Sequence, residues 1–133
     1  FLHDAGIAAC LLVLADVKRR REEPPPLREA WHVVATLHER VGSWLARAWQ
    51  LPDEVSLAIA HHHSMVADGE LVPLAAAVAL AETLASRNGL AVNDELPKDQ
   101  LTLAASQLDL TPSARGILAD KAAQICAAVQ AAP

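Results

Sequence analysis

Histidines and carboxylates gather at four places in this sequence: His3-Asp4, His38, the run His61-His62-His63, and Glu82. Imidazole suits transition metals and carboxylate suits harder or borderline ions. His3, Asp4, His38, His62, His63 and Glu82 therefore form a candidate ligand set for divalent metal. Successive residues on a helix point about 100° apart, so His62 and His63 can serve one cavity only if it lies at the helix edge. Each residue alone also has a plainer reading. A histidine inside an apolar stripe, such as His38 or His62, can satisfy its ring on a backbone carbonyl. His32 and His61 are expected at the surface, Glu82 on this plainer reading only flanks its stripe, and Asp4 suits the positive end of a helix.

Helices must carry these groups. The first is predicted from Leu2 to Arg21, with His3 and Asp4 on it, and is closed by Pro24-Pro25-Pro26, since three prolines remove the donors a helix needs. Between Leu27 and Gln50 apolar positions recur at Leu27, Trp31, Val34, His38, Val41, Leu45 and Trp49, which predicts one buried face with His38 inside it. Leu51-Pro52-Asp53-Glu54 restarts the chain, with proline and acids suited to a first turn, and a third helix carries Val55, Ala58, Ile59 and His62 on one face. Ser64 to Glu70 reads as a loop. A fourth helix spans Leu71 to Asn88 with the stripe Leu74, Ala77, Val78, Ala81 and Leu84, and Asn88-Gly89 caps it. Leu90 to Lys98 is a connection. Two shorter helices follow, Asp99 to Leu108 and Ser113 to Val129, with Thr111 as cap and Pro112 in the first position.

Composition agrees with helices alone. The 133 residues are 53 % hydrophobic, rich in alanine and leucine, with one Phe and no Tyr, which predicts an all-α fold without a sheet. The net charge of −5 argues against nucleic acid as the main partner, despite Lys18-Arg19-Arg20-Arg21. Ala5 to Ala15 is the longest apolar segment, well short of the roughly 20 residues a membrane span needs, and no signal peptide is seen. Cys10 and Cys126 are far apart in apolar stretches, as expected of free thiols in the cytoplasm.

The order of the motifs is more specific than any one of them. Phe1-Leu2-His3-Asp4-Ala5-Gly6 resembles the Leu-Leu-His-Asp-Ile-Gly signature of the HD superfamily. Leu37-His38-Glu39-Arg40-Val41-Gly42, then Leu45, Trp49-Gln50-Leu51-Pro52 and Ala58-Ile59-Ala60-His61-His62-His63, looks like its HDOD branch. Ala79-Leu80-Ala81-Glu82-Thr83-Leu84-Ala85 falls where that branch usually has Ala-Asp. The resemblance implies an all-α, HD-superfamily-like bundle of about six helices. It takes residues 1–133 as a single helical domain, the C-terminal part of an HDOD domain, with 1–90 as family core and 91–133 as C-terminal helices.

By the same resemblance His3 and Asp4 would be metal ligands, Asp4 the bridging one, His38 a ligand or phosphate contact, and His62 and His63 ligands of a second metal. Glu82 would replace the usual aspartate, and the metal would be iron, manganese or zinc. In active relatives such metals lower the pKa of bound water and clamp phosphate oxygens. Three departures set this sequence apart. Ile7 replaces the lysine after His-Asp-x-Gly, removing a cation for the transition state. Asp68-Gly69-Glu70 stands where the cyclic-dinucleotide-cleaving sister branch has Gly-Tyr-Pro, and Glu82 shifts its carboxylate by one methylene. The expectation is a regulatory, signal-transducing output domain that works through contacts with a partner protein or an attached sensory domain, without catalysis. The alternative is a metal-dependent phosphohydrolase of nucleotides or cyclic dinucleotides. Because the family has helices ahead of the His-Asp pair, the piece is expected to belong to a longer chain or to self-associate through an apolar first helix.

Overall fold

The computed structural model describes residues 2–20, 25–90 and 99–132, which form two compact units, Phe1–His62 and His63–Pro133. Arg21, residues 22–24 of the proline linker and residues 91–98 of the later connection lie outside the described residues.

The first unit packs three helices: α1 (Ala5–Arg20), α2 (Leu27–Ala48) and α3 (Asp53–His61), with α2 against both of the others. α1 begins later than the sequence suggests. Leu2 carbonyl accepts the Ala5 N–H at 3.1 Å in a turn, so His3 and Asp4 stand ahead of the helix rather than on it. Asp4 thereby directly precedes the first residue of α1, and its carbonyl accepts the Ile7 N–H at 2.9 Å.

α2 buries Ala30, Val34, His38, Gly42 and Ala46, a ridge with a spacing of four, plus Ser43. The expected face holds at Val34 and His38, but Leu27 and Trp49 are 67 % and 54 % exposed and Trp31, Val41 and Leu45 only partly buried. The reason is the close approach of α2 to both α1 and α3. A Cβ on Gly6 would fall onto the His38 carbonyl oxygen, and one on Gly42 would come within 2.8 Å of Ile59 Cγ2. Small residues therefore occupy the contact line and bulky ones its flanks, as ridge-in-groove packing at short range requires.

Three helix ends are closed alike. After α2, the Gln50 N–H reaches Arg47 carbonyl and the Leu51 N–H reaches Ala46 carbonyl, with Gln50 at φ 57°. This is the Schellman pattern, which usually employs glycine. It recurs at Gly89 after Asn88, the expected cap, and at Asp109.

The second unit opens on a two-stranded antiparallel hairpin, β1 (Val66–Ala67) and β2 (Glu70–Leu71), where the sequence suggested a loop and no sheet. Asp68 and Gly69, at φ 51° and 85°, supply the two left-handed residues that a two-residue hairpin turn demands. α4 (Pro73–Arg87) then packs against α5 (Gln100–Gln107) and α6 (Pro112–Gln130). Met65, Ala76, Ala79, Leu80, Ala104 and Ala105 form the core, with Leu84, Leu101, Leu108 and Leu110 against it. Here too alanines take the contact line, so α4 buries Ala75, Ala76, Ala79, Leu80 and Thr83 while the expected Leu74, Ala77 and Ala81 are exposed. Thr111 Oγ1 accepts the Ala114 N–H at 3.2 Å and caps α6, with Pro112 in its first turn as the sequence predicts. No helix among the described residues is long and apolar enough to cross a membrane.

Candidate metal centre

The turn before α1, the middle of α2 and the end of α3 bring His3, Asp4, His38 and His62 together within the first unit. His62 is completely buried and His38 is 5 % exposed. His38 Nε2 and His62 Nε2 are 3.3 Å apart, and each lies 3.8 Å from Asp4 Oδ1. His3 Nε2 approaches Asp4 Oδ2 at 3.1 Å. The His62 ring stands edge-on to both other imidazoles, with centroids 5.1 Å from His3 and 5.2 Å from His38.

The backbone fixes how these rings present themselves. His38 Nδ1 is 2.7 Å from the Ala35 carbonyl and His62 Nδ1 is 2.9 Å from the Ile59 carbonyl. A carbonyl oxygen only accepts, so Nδ1 carries the proton in both rings, a tautomer inferred from these partners. In the neutral rings both Nε2 atoms then direct lone pairs at one another and at a carboxylate, an arrangement that a shared cation resolves. Two nitrogens on one tetrahedral zinc sit about 3.3 Å apart, and an Nδ1–H given to a carbonyl is the usual outer support of a metal-bound histidine. The donor set His3, Asp4, His38 and His62 therefore fits a divalent transition metal.

Asp4 is the electrostatic centre of the group. The hydrogen bond from His3 holds its carboxyl below the ordinary carboxylate value; burial opposes this, and the neighbouring imidazoles of His3, His62 and His38 reinforce it. Among the described residues no lysine or arginine pairs with Asp4. Glu39 adds a carboxylate that sequence reading passed over: its Oε1 lies 3.6 Å from His62 Nδ1. It follows His38 directly on α2, and an acid beside a ligand histidine is the one available signal for such a supporting group.

The remaining candidates fall in the second unit. His63 is its first residue and is exposed, and Glu82 lies half-buried on α4. His32 is exposed, as expected, whereas His61 is partly buried at the end of α3. The two cysteines are free thiols, and burial pushes the Cys10 thiol up from its ordinary value.

The HDOD domain family model matches residues 1–65, a span that takes in the first unit and stops short of Glu82. No curated protein and no solved structure matches the chain.

Proposed function

Since residues 1–65 belong to the HDOD domain family, a family of HD-related output domains, we propose that this chain is a non-catalytic regulatory domain acting through protein contacts. Its histidine cluster serves as an internal cross-link for a divalent cation. The observation that supports this reading is the chemistry around Asp4. Three imidazoles surround the carboxylate and no lysine or arginine pairs with it among the described residues, Ile7 standing where the family's lysine would be. A phosphate ester drawn to such a site would meet one metal ion and no cationic side chain to share its developing negative charge.

Held by His3, Asp4, His38 and His62, a metal would join the segment before α1 to α2 and α3. When bound it would supply Lewis acidity and an acidified water. The chain's own residues hold the ligands still: Ala35 and Ile59 carbonyls orient the rings, and the α1 and α2 crossing sets the distance between Asp4 and His38.

The test joins metal content to turnover. Protein purified without chelators or a metal column is expected to carry iron, manganese or zinc, and to leave bis-p-nitrophenyl phosphate at background hydrolysis with added manganese or iron. Chelation is expected to lower the melting temperature by linkage. Turnover that disappears in a His62→Ala variant would overturn the regulatory reading and favour a phosphohydrolase of nucleotides or cyclic dinucleotides. That second reading draws its support from the convergence of the same four side chains.

A further inference from the structure

The outer face of α2 carries a second constellation, opposite the ridge that packs on α1. Val33, Leu37, Arg40, Trp44 and Arg47 recur at helical spacing and are all exposed, with Val33 at 50 % and Trp44 at 58 %. At 1.5 Å per residue the stripe is about 21 Å long, or four turns. The Arg40 guanidinium lies over the Trp44 ring, 5.3 Å from its centroid, which fixes both side chains in place on an open surface.

The two charged members of this stripe, Arg40 and Arg47, are both cations. The chain has a net charge of −5, and Asp16 on α1 pairs with both Arg19 and Arg20. Arg40 and Arg47 have no acidic partner among the described residues. Glu39, the nearest acid in sequence to Arg40, is directed instead at His62, and Glu29 lies one turn ahead of Val33 at the end of the stripe.

We propose that the Val33–Arg47 face of α2 docks an acidic amphipathic helix of a partner protein. The apolar side of that helix would cover Val33, Leu37 and Trp44, and its carboxylates would meet Arg40 and Arg47. This rests on the regulatory reading above and names the contact it requires. Tryptophan and arginine are the residue types that most often dominate protein interfaces, and an amphipathic helix offers apolar anchors at the same spacing. Two guanidiniums are too few to hold a nucleic-acid backbone against a net negative chain, whereas they suffice to choose the sign of a helical partner.

The whole chain is tested at low salt by fluorescence anisotropy against labelled amphipathic peptides of 16 residues, leucine on one face and glutamate elsewhere, with a lysine-for-glutamate twin. The glutamate peptide is expected to bind at least tenfold more tightly than its twin. Arg40→Glu with Arg47→Glu is expected to reverse that order, and Trp44→Ala to weaken the glutamate peptide about tenfold, with the circular dichroism unchanged because all three side chains are exposed. Equal affinity for the two peptides, an order that charge reversal leaves alone, or tighter binding of single-stranded oligonucleotide or phosphatidylglycerol vesicles through the same arginines would overturn the proposal. Phosphodiester turnover, by contrast, would sink the regulatory reading whatever the peptides do.

Discussion

Asp4 draws its environment from three histidines, and that environment sets a pH dependence. Its carboxyl titrates below the ordinary value of 3.8, chiefly through the His3 hydrogen bond. A group whose native pKa is depressed stabilises the fold above its unfolded pKa, and that contribution is lost as pH falls through the native value. Asp4→Asn is therefore expected to be less stable than the parent at pH 7, with the gap narrowing below about pH 3.8. Urea unfolding at pH 7 and pH 3 checks this, and an equal gap at both would show that Asp4 acts through shape alone. Asp4, His3, His38 and His62 could be picked from the sequence because their types and order are distinctive. Glu39 was passed over because its one signal, adjacency to His38, does not by itself separate a surface acid from one turned toward a buried ring.

At the scale of the element, glycine decides the first unit. Gly6→Ala would drive a methyl group into the His38 carbonyl, so backbone must move rather than a side chain. Overpacking of a close contact costs about 1–3 kcal/mol, and this substitution is expected at the upper end, read as a lowered denaturant midpoint with an unchanged slope. A smaller change tests the end of α2. Gln50 holds φ 57°, a conformation that costs a residue with a side chain about 1 kcal/mol, so Gln50→Gly is expected to raise stability by about that amount in the same measurement. A Gln50→Gly chain no more stable than the parent would mean that the left-handed backbone is not strained there. The number and rough bounds of the helices were legible from their periodicity and caps. The buried faces of α2 and α4 were less so, because hydrophobic spacing marks large residues, whereas these helices meet along glycine and alanine. The hairpin was missed although Asp68-Gly69 announces a turn: strands of two residues are too short to show any alternation.

For the molecule as a whole, charge rather than size is the sensitive quantity. Six histidines accompany a net charge of −5 counted with all of them neutral, so protonating all six would carry the chain to +1. With a calculated isoelectric point near 5.6, electrophoretic mobility is expected to fall toward zero between pH 7 and about 5.6, with a solubility minimum there. Mobility that stayed strongly anodic to pH 5 would mean that several imidazoles are withheld from protonation. The glycine crossing has a consequence at this scale too. Gly6 and Gly42 touch no candidate ligand with a side chain, yet they set how far the start of α1 stands from the middle of α2. If the proposed metal is held there, a survey of random variants scored only for its retention should find both positions as intolerant as the histidines, so a map drawn from loss of function would be wider than the set of ligands.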